Sequence, residues 1–111
     1  MSKYMLIYKG TATDLGQMSR EAADAVQAKW GAWMEKVGPA LLDVGTPFGP
    51  GTSVVDDGST GEPISLTGFS IVEAGSLSHA ASLADGHPYL SEGKGNYSIE
   101  IYEMMPVPFE A

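Results

Sequence analysis

The sequence contains no cysteine, so neither a disulfide nor a thiolate nucleophile can contribute to its structure or chemistry. It also lacks any apolar run long enough to cross a bilayer. Bases are scarce: six Lys and Arg stand against fourteen Asp and Glu, a net charge of -8. Nucleic acids and anionic membranes both require clustered cations on the protein, and the composition argues against either as a partner. The acidic residues are scattered rather than bunched, which reads as a solubilising surface. There are two histidines, with no His-x-x-x-His spacing to hold a metal. Lys94 sits between Gly93 and Gly95 without the rest of a phosphate loop, and there is no nucleophile elbow or dinucleotide fingerprint. No metal and no cofactor are expected. The N-terminal Met1-Ser2-Lys3-Tyr4 runs into a strand-like segment with no hydrophobic signal sequence, which predicts a cytoplasmic protein.

What remains is an ordinary globular composition. The 43% hydrophobic content over 111 residues predicts one domain, spanning 1–111, with a core large enough to fold without staples. Tyr4-Met5-Leu6-Ile7-Tyr8 reads as a first strand, with Tyr4, Leu6 and Tyr8 on one face and Met5 and Ile7 on the other. Ser19 is placed to cap a helix that carries Ala22, Ala23, Val26, Trp30, Trp33, Met34 and Val37 along one stripe. Gly38-Pro39 ends it. A second strand is expected over residues 40–44. Residues 46–63, rich in Gly, Pro, Ser, Thr and Asp, predict a mobile loop with a short β excursion turning at Asp57-Gly58. A third strand follows over residues 68–74. Ser76 then caps a short second helix whose apolar face is Leu77, Ala80, Ala81 and Ala84, and which stops at Asp85-Gly86-His87-Pro88. The last strand is expected over residues 97–104.

This order, β-α-β-β-α-β, predicts an α+β, ferredoxin-like sandwich of the dimeric α-β barrel type. Two helices cover one sheet face, to which Phe69, Ile71, Tyr97, Ile99 and Ile101 are assigned. The other face receives Ser70, Val72, Ser98, Glu100 and Tyr102 with one set from the first strand. That mixture is too apolar to stay wet and too polar for a dry core, which predicts a homodimer with a partly polar cleft between the sheets.

Several strings resemble the YCII-related family of small dimeric α-β barrel proteins. They are Lys3-Tyr4-Met5-Leu6-Ile7-Tyr8, Gly68-Phe69-Ser70-Ile71-Val72-Glu73-Ala74 leading into Ser76-Leu77, Gly86-His87-Pro88-Tyr89-Leu90, and Ser98-Ile99-Glu100-Ile101-Tyr102-Glu103-Met104-Met105-Pro106. The resemblance implies the ferredoxin-like fold and dimerisation. It also implies, for some members, a His-Asp pair with the acid in an Asp-Pro-Tyr string. Here that string reads His87-Pro88-Tyr89, and Gln27 lies near the place of the helical His, so the pair does not carry over.

From the residues themselves, His87 is the first candidate for chemistry, as a general acid or base. Its place after a helix C-terminus predicts a raised pKa; the competing role is to satisfy the last helical carbonyls. Glu100, mid-strand between Ser98 and Tyr102, would be a carboxylate partly withdrawn from water, or else a charge at a dimer rim. Asp43 interrupts an apolar strand and is the third candidate, with exposure at a sheet edge as the simpler account. Tyr8, Tyr89 and Tyr102 are candidate ligand-binding residues of an aromatic pocket, whereas Trp30 and Trp33 repeat with the helix stripe and belong to the core. His79 is given no role. Two readings follow. In the first, the chain is a cofactor-independent enzyme or binder of a small organic molecule, using proton transfer at a pocket between two copies. In the second, it is a non-catalytic dimeric accessory or regulatory module.

Overall fold

The computed structural model describes residues 1–10, 19–90, 93 and 95–106. The loop expected at 11–18, Lys94 and the tail at 107–111 lie outside the described residues. Strand β1 (Ser2–Lys9) leads to helix α1 (Arg20–Val37), then β2 (Leu41–Asp43), the short pair β3 (Ser53–Val54) and β4 (Thr60–Gly61), strand β5 (Leu66–Ala74), helix α2 (Leu77–Leu83) and β6 (Ser98–Met104). The four longer strands form one sheet in the order β2-β5-β1-β6, antiparallel at every pairing. This is the α+β, ferredoxin-like arrangement of two interleaved β-α-β units. The sheet is open rather than a closed barrel, with β2 and β6 at its edges.

The helices begin and end where their caps dictate. Ser19 Oγ accepts from the Ala22 amide, and Ser76 Oγ from that of His79. Gly38, at φ 62°, takes the left-handed turn that ends α1. The α1 stripe enters the core through Trp33 and Val37, with Trp30 and Met34 at its margin, while Asp24, Ala28, Gly31 and Glu35 stay exposed. On α2 only Ala80, with Ala84 just beyond it, is buried. Leu77, expected on the apolar face, is 55% exposed, because a helix of two turns presents only one short row to the sheet.

The expected faces of β5 are reversed. Ser70, Val72 and Ala74 are buried under the helices, and Phe69 and Ile71 point to the open face. Register explains this: Val72 pairs with Tyr4 and Ser70 with Leu6, so they share the face of Tyr4, Leu6 and Tyr8. Small residues at Gly68, Ser70 and Ala74 leave room for the bulky rings that β1 and α1 bring to this side. Tyr97 lies just before β6, and Ile99 and Ile101 face the helices as expected.

The hairpin expected in the Gly-rich segment is present. It turns through Asp57, whose Oδ1 accepts from both the amide and the hydroxyl of Ser59, and through Gly58 at φ 89°.

Candidate functional site

Of all buried residues described, Ser70 and His87 are the polar ones, and a single hydrogen-bond chain contains both. His87 follows the end of α2. Gly86, at φ 78°, reverses the backbone, and the His87 amide bonds to the Ala84 carbonyl. The helix end is therefore satisfied by backbone, and the side chain is free to turn inward. It is 1% exposed, with its ring between Trp33 and Trp30 at centroid distances of 4.3 and 4.5 Å and Tyr8 at 4.9 Å.

The direction of the chain follows from donor arithmetic. The Tyr89 backbone N–H can only donate, and it donates to His87 Nδ1 at 3.0 Å. Nδ1 is therefore unprotonated, so the neutral ring carries its hydrogen on Nε2 and donates to Tyr8 Oη at 3.0 Å. The Tyr8 hydroxyl in turn donates to Ser70 Oγ at 2.5 Å, and Ser70 donates to the Val44 carbonyl at 2.7 Å. Burial sets the electrostatics. Withdrawal from water pushes the His87 pKa down to about 4, opposite to the expected rise, since the positive end of its titration meets aromatic rings and no carboxylate. The same withdrawal pushes the Tyr8 phenol up to about 12, partly offset by its bond to Ser70. At neutral pH the pair is an uncharged imidazole and an uncharged phenol.

Around this chain stands a half-buried aromatic wall. Tyr89 packs against Tyr8 at 5.3 Å and meets Tyr97 edge-on at 5.1 Å, and Trp30 meets Tyr8 edge-on at 5.7 Å. Thr67 Oγ1 donates to Tyr89 Oη at 2.9 Å, fixing that ring from β5. Gly10 closes the corner, where an added Cβ would meet Tyr97 Cδ1 and the Tyr89 hydroxyl. The Val44 end is fixed by Asp43, whose Oδ1 accepts from the Gly45 amide at 2.8 Å. Gly45 packs so tightly that a Cβ there would collide with the Phe69 carbonyl.

Of the residues picked out in the sequence, the fold thus brings together His87, Tyr8 and Tyr89. Glu100 and Tyr102 lie on the opposite face of the sheet: Glu100 pairs with Ile7 and meets Lys9 at 3.7 Å, and Tyr102 is 61% exposed. Asp43 is exposed and serves the turn after β2. The exposed His79 accepts the Gly75 amide at Nδ1. Ser70, Thr67 and Val44 were not among the sequence candidates. Among the described residues no group of three or more His, Asp and Glu side chains could hold a metal ion, and no helix is long and apolar enough to cross a membrane. An open groove of about 460 Å³ lined by Met1, Lys3, Glu103, Met104 and Met105 lies at the far end of β1. It is about 20 Å along the strand from Tyr8 and brings no titratable group to the aromatic cluster.

The chain can be tested at Ser70. Ser70→Ala leaves the buried Tyr8 hydroxyl without an acceptor, whereas the Val44 carbonyl, on an exposed residue, can turn to water. A loss of about 1–2 kcal/mol in urea unfolding is expected. An unchanged midpoint would mean that the Tyr8 hydroxyl is served from elsewhere.

No protein-family model matches the chain, and no curated protein matches it. A solved structure with a similar fold is a 5-chloro-2-hydroxyhydroquinone dehydrochlorinase from Burkholderia phenoliruptrix AC1100, in complex with 2,5-dihydroxybenzoquinone. The alignment covers 93% of each chain at 19% sequence identity, with a TM-score of 0.54. At that identity the likeness is one of fold.

Proposed function

We propose that the chain binds a small planar organic molecule against the wall of Trp30, Tyr89 and Tyr97, and that the chemistry behind that wall is proton transfer through Tyr8 and His87. One observation carries this reading: a neutral imidazole hydrogen-bonded to a phenol, enclosed by aromatic rings in an otherwise apolar core. An apolar side chain would fill the same space without the desolvation cost of a buried polar chain, so the chain points to use rather than to packing. Aromatic faces favour a flat ring as the ligand, and the similar fold of an enzyme acting on a hydroxylated ring supports that class. The resemblance to the YCII-related family is part of the same proposal.

A second reading has its own observation. Both ring nitrogens of His87 are satisfied within the chain, which suits a polar brace in a non-catalytic module. Calorimetric titration with 2,5-dihydroxybenzoquinone and related hydroquinones separates the two. The first reading expects saturable binding that weakens at least tenfold in Trp30→Ala, whose side chain lies outside the hydrogen-bond chain. Absence of saturable binding across the panel overturns it. Binding that is indifferent to His87→Gln, with no turnover between pH 5 and 8, leaves a binder without catalysis.

The partner proposed here is a second copy, seated on the open sheet face. Register places Met5 between Ile71 and Tyr102, and Ile7 between Phe69 and Glu100. Lys3 with Glu73 closes one end of this apolar centre and Lys9 with Glu100 the other. An apolar centre with both charge signs at its margins is self-complementary under a two-fold axis.

A further inference from the structure

The segment between β2 and β5 is an arm that, among the described residues, is hydrogen-bonded to the rest of the fold only at its two feet. The outgoing foot is held where Pro47 pairs with Gly68 and the Phe48 amide bonds to the Thr67 carbonyl at 2.9 Å. The returning foot is held by Ser65, which exchanges hydrogen bonds with Gly10 at 3.1 and 2.6 Å. Between the feet, the hydrogen bonds found among the described residues run within the arm: β3 to β4, Val55 to Ser59, Gly58 to Val55, and Asp57 to Ser59. A two-stranded hairpin is marginal in water unless something packs on it. Yet Val54 is 78% exposed and Ile64 69% exposed.

We propose that this arm, residues 49–64, clasps a second copy of the chain. The proposal rests on the dimer across the open sheet face and adds the element that closes it. Two observations favour a second copy as occupant. The arm continues the open face, since Phe48 at its base stacks on Phe69 with ring centroids 5.9 Å apart. Area points the same way. The open face of β1, β5 and β6 offers about a dozen side chains, where stable interfaces use about 20–30 residues a side, and the arm supplies the difference.

The absence of cysteine makes the test clean. Sedimentation is compared for the wild type and for Val54→Asp with Ile64→Asp, two exposed positions whose change spares the core. The expected result is a wild-type dimer whose dissociation constant rises at least tenfold in the double variant. A wild-type dimer with an unchanged constant in the variant overturns the arm proposal and leaves the dimer standing. A wild-type monomer of 11.7 kDa at micromolar concentration overturns both. A single Val54→Cys carrying an environment-sensitive fluorophore should shift to the blue as protein concentration rises, and the same label at Leu77→Cys should not. A shift at 77 and none at 54 places the second copy on the helical layer and overturns the arm.

Discussion

Trp33→Ala is expected to lower the unfolding free energy by about 3–5 kcal/mol in urea or guanidinium titration. Three effects add at this position. The indole is 2% exposed and is the largest of the fully buried side chains, so its removal opens a cavity that the backbone of α1 cannot collapse into. Its edge contacts with Trp30 and His87, at 6.0 and 4.3 Å, vanish together. Its Nε1–H also donates to the Leu83 carbonyl at 2.9 Å, across from α1 to the end of α2. That carbonyl belongs to the last turn of a two-turn helix and has little else to hold it. Trp33→Phe keeps most of the ring and removes the donor, so it should retain more than half of the lost stability. A loss below about 1 kcal/mol for Trp33→Ala would show that the α1 stripe does not enter the core at this residue.

The elements set by local signals were legible in the sequence. Ser19 and Gly38 bound α1, Ser76 starts α2, and Asp57-Gly58 turns the hairpin, because each signal acts over three or four residues. The order of elements then led to the ferredoxin-like sheet. The faces of β5 were not legible, because Phe69, Ile71 and Val72 leave both sides apolar and alternation cannot choose between them. A usable signal was present in size rather than polarity: Gly68, Ser70 and Ala74 are the small set, and small residues belong opposite the Trp and Tyr side chains of α1 and β1. The same ambiguity hid Ser70 from the candidate site.

For His87 the neighbourhood in sequence pointed one way and the neighbourhood in space another. A helix C-terminus favours imidazolium, but here that end is bonded by backbone and the ring turns away from it. Its surroundings come from α1, β1 and the turn at Tyr89, and only the assembled fold brings these together. Glu100 and Tyr102 were separated from His87 by the pleat alone: one residue of parity along β6 puts them across the sheet.

That burial gives the second large expected effect, a loss of stability in mild acid. The His87 pKa lies at about 4 in the folded chain, below the ordinary value of 6.5 that the unfolded chain regains. Between these values the unfolded state binds the proton and the folded state does not, so stability falls as pH falls. The contribution is complete above pH 6.5 and shrinks through the window below it. It amounts to a loss of about 2 kcal/mol at pH 5 and about 3 kcal/mol by pH 4, at 1.36 kcal/mol per unit of difference. The window from pH 5 to 6.5 isolates the effect, because ordinary carboxylates titrate below it. His87→Gln keeps an N–H for Tyr8 Oη and removes the titration, so its unfolding free energy should be flat where that of the wild type slopes. The ring can also be followed directly by NMR, where a midpoint well below 5 is expected in the native chain. A native midpoint near 6.5, or equal slopes in the two proteins, would place the imidazole in contact with water and remove the buried neutral pair on which the proposed proton transfer depends.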